Sequence, residues 1–320
     1  MVWNIVVLIA GFIFVLKGAD LLVDGASSLA KRFRVSELTI GLTIVAFGTS
    51  APELVVNIIA ALKDLDNVIL GNIVGSNIFN LLLILGIAGV IYPITVQSKT
   101  VWKEIPFSIF AGLLLLALAN GSFFSSQGRD VLKWYDGLIF LIFFALFLYY
   151  ASANLKDDSK DEADSIKVFG ITKTVLYILG GFVLLVLGGR FVVNNAIALA
   201  RILGFSEKVI GLTIVAAGTS FPELATSAVA AYKRRSDLAI GNVIGSNIFN
   251  ILFILGITSL ISPVRYDVSF NIDIFIYLGA SLFIFIAMFT GKKKKLDRWE
   301  AVILLIAYVF YMIFLFRKAT

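Results

Sequence analysis

The chain has 320 residues, 59% of them hydrophobic and 15% charged, with a net charge of +6 and a mean hydropathy of +0.97. An apolar share this far above the roughly 45 to 50% of soluble domains excludes a water-soluble globular fold and makes this an integral membrane protein. The absence of cysteine and histidine excludes disulfides, thiolate or imidazole metal sites and histidine proton relays, so any metal must be held by oxygen.

Ten apolar runs, each about 20 residues and able to cross a hydrocarbon core about 30 Å thick, predict ten transmembrane helices. The run at 2–22 has no basic stretch before it and no small-residue cleavage site after it, so it reads as a retained helix and not a signal peptide. Lys17 and Asp20, at i and i+3, have the spacing of a local ion pair, and with Asp24 they read as structural. The second run, 38–62, follows Ser36 as a cap and Glu37 as a first-turn acid, and it contains "IVAFGTSAPELVV" at 44–56. The third, 67–92, contains "GNIVGSNIFN", and runs at 104–121 and 132–152 follow.

After the charged stretch "KDDSKDEADSIK" at 156–167, runs at 171–193, 208–232, 238–262, 268–290 and 299–316 complete the set. The run at 208–232 follows Ser206 and Glu207 and contains "IVAAGTSFPELAT" at 214–226; the next contains "GNVIGSNIFN". The tract "KKKK" at 292–295 reads as an orientation anchor at an anionic leaflet. An outside N-terminus puts the larger share of Lys and Arg on inner loops, which predicts a multi-pass cell-membrane protein with both termini extracellular and the 153–170 linker cytoplasmic.

Shifted by 170 residues, 36–93 aligns onto 206–263 without a gap, and 33 of the 58 positions are identical. The expected organisation is therefore a first transmembrane repeat at 1–152, a short charged linker at 153–170 and a second repeat at 171–320. Each repeat has five spans, an odd number, so equivalent helices enter the membrane from opposite sides. The predicted fold is all-α, with ten transmembrane helices in two inverted five-helix repeats. Helices interrupted by Gly and Pro at matching places in such repeats point to a secondary transporter with its site near the midplane.

A carboxylate at the centre of a transmembrane helix costs about 2.5 to 3.5 kcal/mol on insertion scales. Glu53 and Glu223 have no Lys or Arg beside them in their motifs, so a cation or a proton must offset them. On a helix Thr49, Ser50 and Glu53 share one face, and Thr219, Ser220 and Glu223 repeat the arrangement. Pro52 has no N–H and crowds the carbonyl of Gly48, so the helix should break and free carbonyls near Ala46 and Gly48, and near Ala216 and Gly218 in the second copy. Ser76, Asn77 and Asn80, copied as Ser246, Asn247 and Asn250, add hydroxyl and amide oxygens. Two carboxylates with neutral oxygens suit Ca2+ and also Na+. Taken singly, a hydroxyl bonding its own helix or an Asn acting as interhelical glue is an ordinary alternative; recurrence in both halves weighs against it.

"GTSAPEL", "GTSFPEL" and the two "GNxxGSNIFN" segments resemble the alpha repeats of the calcium/cation antiporter superfamily, most closely the sodium/calcium exchanger branch, and the short linker resembles that of prokaryotic members. The resemblance implies ten helices in two inverted halves and alternating access by movement of the first and sixth helices. It also implies ion ligands at Thr49, Ser50, Glu53, Ser76, Asn80, Thr219, Ser220, Glu223, Ser246 and Asn250, with carbonyls from Ala46 and Ala216. Exchangers of this branch typically carry an acid at the place of Asn250, and here it is an amide.

The expected function is antiport of Na+ against Ca2+, with Ca2+ exported; proton/calcium exchange and a passive cation channel are the alternatives. Two carboxylates balance Ca2+, two Na+ or two H+ alike, so charge does not choose the counter-ion. An intramembrane hydrolase built on Ser50 or Ser220 is disfavoured, because neither motif offers a His or Lys as base. The reading calls for no enzyme activity, no cofactor, no nucleic acid and no obligatory protein partner, only transported Ca2+ and Na+, with H+ as the rival, and a lipid bilayer.

Overall fold

A computed structural model of the chain describes residues 2–98, 100–120, 130–153, 168–203, 216–290 and 294–319. Two 32-residue helices, α1 (Val2–Phe33) and α7 (Ile171–Ile202), pair along their lengths. At 1.5 Å per residue each is about 48 Å long, more than a hydrocarbon core needs, so both must tilt or protrude. Their backbones approach closely where glycines face each other: a Cβ on Gly18 would lie 2.9 Å from the Gly181 carbonyl oxygen.

Between them in sequence, α2 (Glu37–Thr49) and α3 (Ala51–Ala61) form one span bent by 47°. Ser36 caps α2, its hydroxyl accepting from the Thr39 N–H at 3.1 Å, as predicted, with Glu37 in the first turn. Two long spans, α4 (Asp66–Ile91) and, in the second half, α9 (Ser236–Ile261), are the most enclosed among the described residues. Both widen into a π turn at equivalent places, Phe79–Ile84 and Phe249–Ile254.

The α2–α9 crossing is backbone on backbone: a Cβ on Gly241 would lie 2.8 Å from the Leu38 carbonyl oxygen and 3.1 Å from Gly41 Cα. Gly241→Ala is therefore expected to cost about 1 to 3 kcal/mol by overpacking and to lower the thermal unfolding midpoint of purified protein. An unchanged midpoint would show that the crossing has room to spare.

Helices α5 (Thr100–Ala119), α6 (Trp134–Ala153), α10 (Asn271–Ala287) and α11 (Arg298–Ala319) wrap this centre. Contacts between halves fix them: the Ser108 and Tyr277 hydroxyls join α5 to α10 at 2.7 Å, α11 packs on α4 and α6 packs on α9. Four two-residue strands add two antiparallel ties, β1 (Ile94–Thr95) with β4 (Lys295–Leu296) and β2 (Val131–Leu132) with β3 (Val264–Arg265). Each tie links a loop of one half to a loop of the other.

Among the described residues, eight helices are long and apolar enough to span a membrane, and the bent α2–α3 pair makes a ninth span. The run predicted at 208–232 is described from 216 onward, as a turn of helix at Ala216–Gly218 followed by α8 (Phe221–Tyr232). The predicted Ser206 cap with Glu207, the 156–167 charged stretch, and Lys292 and Lys293 lie outside the described residues.

One expectation is corrected. Asp20 pairs with Lys233, at 2.7 Å, and not with Lys17; Asp24 Oδ1 meets the same ammonium at 2.6 Å. Lys233 follows α8, so this pairing ties α1 to the second half. A helical spacing rule sees only neighbours on one helix, and the ammonium arrives from a residue 213 positions away.

Candidate cation site

The two GTS–PEL motifs sit at helix breaks. Ser50 has φ −84° and ψ 6°, and Ser220 has φ −89° and ψ 10°; both lie outside the helical region, and in each copy a proline follows within the first two helical positions. Pro52 and Pro222 have no N–H to return to Gly48 and Gly218. Bulk is excluded there: a Cβ on Gly48 would lie 1.9 Å from the Phe182 ring of α7, and one on Gly218 would lie 2.6 Å from Val193 of the same helix.

Glu53 and Glu223, in the first turns of α3 and α8, are each 1% exposed. Each carboxylate is held by the serine that precedes the other motif's proline. Ser50 Oγ donates to Glu223 Oε1 at 2.8 Å, and Ser220 Oγ donates to Glu53 Oε1 at 3.0 Å. Ser76 Oγ of α4 lies 3.1 Å from Ser220 Oγ, and Ser246 Oγ of α9 lies 3.5 Å from Glu223 Oε1. The helix N-termini carrying the two acids favour negative charge. Among the described residues no ammonium or guanidinium pairs with Glu53 or Glu223.

The α4 and α9 amides are crossed. Asn80 Nδ2 donates to Asn247 Oδ1 and Asn250 Nδ2 to Asn77 Oδ1, each at 2.9 Å. Asn77 and Asn247 in turn donate to each other's backbone carbonyls, at 3.3 and 3.5 Å. Each of their side-chain oxygens accepts one of these bonds and keeps a second lone pair, so both residues orient Asn250 and Asn80. The amide ends of Asn80 and Asn250 are fixed by this crossing, and their Oδ1 atoms are left over.

Among the buried oxygens that lack a hydrogen-bond partner in the described residues, four belong to predicted ligands: Glu53 Oε2, Glu223 Oε2, Asn80 Oδ1 and Asn250 Oδ1. They come in pairs related by the 170-residue repeat. Leaving one such group unmade costs about 1 to 3 kcal/mol, and more for a charged one, so the arrangement is built for something that is not protein. All four are hard oxygens, which suit an alkali or alkaline-earth cation.

Of the remaining predicted residues, Thr49 and Thr219 stand beside the breaks with partners described below. Ala46 keeps its carbonyl engaged, accepting from the Ser50 N–H at 3.0 Å; the Thr49 hydroxyl lies 3.3 Å from the same carbonyl, but its one proton goes to the nearer Asn242 Oδ1 at 3.1 Å. Ala216 opens the short turn before the second break.

Four contributing residues escaped the motif reading. Asn72 Nδ2 donates to Thr219 Oγ1 at 3.2 Å, and Thr49 Oγ1 donates to Asn242 Oδ1 at 3.1 Å, so each threonine is held by an asparagine from the other half. Behind them stand Asn57 and Ser227. A signal was present: Asn72 and Asn242 are four residues before Ser76 and Ser246, on the same helix face, and Asn57 and Ser227 are four after the glutamates.

Comparison with known proteins agrees with this geometry. The sodium/calcium exchanger protein family matches over residues 3–153 and 173–317. The chain belongs to the sodium/calcium exchanger family. Within it, the chain is 37% identical to the putative antiporter CaxA of Alkalimonas amylolytica over 316 residues, 97% of this chain and 98% of that one. It is 34% identical to the sodium/calcium exchanger MaX1 of Methanosarcina acetivorans, covering 98% of each. Solved structures of the sodium-calcium exchanger NCX_Mj superpose with a TM-score of 0.82 at 29% identity, covering 98% of each chain. Exchangers are transporters, so this is a helical membrane protein of a cation-antiport family, and the paired glutamates lie where its two halves meet.

Proposed function

We propose that the protein exchanges Na+ for Ca2+ across the cell membrane by alternating access, in the direction that exports Ca2+. Glu53, Glu223, Asn80 and Asn250 are the central ligands, with Thr49, Ser50, Ser76, Thr219, Ser220 and Ser246 and the carbonyls around the two breaks as the surrounding shell. The single observation carrying this is the set of four unpartnered buried oxygens, two of them carboxylate, with no basic side chain among the described residues to meet them. An empty site with two charges is costly to enclose, whereas one occupied by cations is not. That difference couples the movement of one ion to the return of another.

The proposal extends to architecture. Ten helices in two inverted repeats, 1–152 and 171–320 about the 153–170 linker, account for the reciprocal serine–glutamate bonds and crossed amides, because a pseudo-two-fold axis through the site generates each contact from its partner. Both termini then lie outside and the linker lies in the cytoplasm. The close α1–α7 pair, with Phe182 and Val193 of α7 resting on the glycines at the two breaks, is the element suited to move over the site.

The test is Ca2+ flux in proteoliposomes with an imposed Na+ gradient, an imposed pH gradient, or neither. Flux driven by Na+ and saturating in Ca2+ is expected. Flux driven only by pH would make the counter-ion H+, and non-saturating flux without either gradient would make the protein a channel.

A further inference from the structure

The two halves of the site share a backbone plan but differ in one place behind each threonine, where the first half has Asn57 and the second has Ser227. Both are fully enclosed. A carbonyl can only accept, so any amide group touching one must present its NH2. In the second half Asn242 itself makes that contact: its Nδ2 donates to the Glu223 carbonyl at 3.3 Å and to Ser227 Oγ at 2.9 Å. Asn242 Oδ1 therefore faces Thr49 and takes that hydroxyl's proton at 3.1 Å, which turns the lone pairs of Thr49 away from Asn242.

In the first half the carbonyl contact belongs to Asn57. Its Nδ2 donates to the Glu53 carbonyl at 2.7 Å and also to Asn72 Oδ1 at 2.7 Å. Asn72 is thereby turned the other way, and its NH2 donates to Thr219 Oγ1 at 3.2 Å. One of the lone pairs of Thr219 is spent on protein. The arrangement leaves Asn57 Oδ1 buried and unpartnered, a cost that a serine in its place would avoid.

We infer that Asn57 and Ser227 are positioning residues that make the two threonines unequal toward the transported cation: Thr49 is a full oxygen ligand, and Thr219 is a weakened one. The inference rests on the cation site proposed above. Residue 57 or 227 touches no ion; each acts by setting which end of an asparagine amide faces a threonine, and so sets cation affinity.

Substitutions at the two positions carry opposite signs. Asn57→Ser lets Asn72 turn over and accept from Thr219, freeing the Thr219 lone pair now spent on protein, and should lower the KM for Ca2+ by about five-fold, the worth of one hydrogen bond. Ser227→Asn should turn Asn242 over, spend a lone pair of Thr49 and raise the KM by about five-fold. Ser227→Ala, which needs no added volume, removes one of the two acceptors that hold the Asn242 amide and should raise the KM in the same sense. Maximal rates should stay within about two-fold throughout, and the Asn57→Ser, Ser227→Asn double variant should return close to the parent KM.

The measurement is Ca2+-dependent flux in proteoliposomes together with calorimetric Ca2+ titration of the purified full chain. Opposite shifts support the inference. Shifts of the same sign, which a general packing defect would produce, overturn it, as does no shift in any variant. The calorimetric order is independent of the counter-ion, so absence of Na+-driven flux would overturn the exchange reading while leaving the amide inference to stand or fall on the titration.

Discussion

Glu53→Gln and Glu223→Gln are each expected to reduce Ca2+ transport by at least about a hundred-fold in proteoliposomes. Glutamine keeps the shape and the buried position but removes one of two charges facing a divalent ion, and it presents an NH2 where an unpartnered oxygen stood. Contacts to a charged group are worth about 1.5 to 3 kcal/mol each, and the loss of a carboxylate ligand removes more than one. Burial of an uncompensated carboxylate is unfavourable, so both variants should fold and be at least as stable as the parent when Ca2+ is absent. The parent should gain thermal stability with added Ca2+ and the variants should not, since only a ligand that binds the native state stabilises it. The two substitutions should be equivalent, because each glutamate is held by the serine of the other half. Normal flux in either variant would remove that residue from the site.

The second large effect is expected at Asn250. An aspartate there keeps an oxygen for the cation but loses the NH2 that donates to Asn77 Oδ1, and it sets two acceptors against each other at 2.9 Å. It also brings a third acid among two buried carboxylates. Without cations Asn250→Asp should be less stable than the parent, and bound Ca2+ should raise its unfolding temperature more than the parent's. Divalent affinity should rise by about ten-fold, and the number of Na+ ions exchanged per Ca2+ should change. Unaltered stability, affinity and stoichiometry together would place Asn250 outside the ion shell. The same substitution at Asn80 faces Asn247 in the same way and gives an internal control.

Much of this was legible in the residues. The broken helices could be placed because Pro52 and Pro222 lack a donor wherever they sit, and the acids stood out because carboxylates in apolar spans need a partner. Repetition over 36–93 and 206–263 showed which polar residues belong together. Other features were hidden. The π turns at Phe79–Ile84 and Phe249–Ile254 have no motif of their own, and the Lys233 contact with α1 depends on a fold that brings residues 213 positions apart together.

Local covalent chemistry acts at fixed sequence spacing, so the sequence by itself determined the membrane class, the breaks, the paired glutamates and the hard-oxygen character of the site. Which oxygens are free depends on where every donor ends up, and that is a property of the packed helices. Only the tertiary structure decided that Asn77 and Asn247 join Asn250 and Asn80 in a crossed pair, that the Oδ1 atoms of Asn80 and Asn250 have no partner among the described residues, and that the amides of Asn72 and Asn242, next to Asn57 and Ser227, face the two threonines in opposite directions. Hydrogen bonding is a competition for a limited number of protons, and in this molecule the competitors come from opposite halves of the chain.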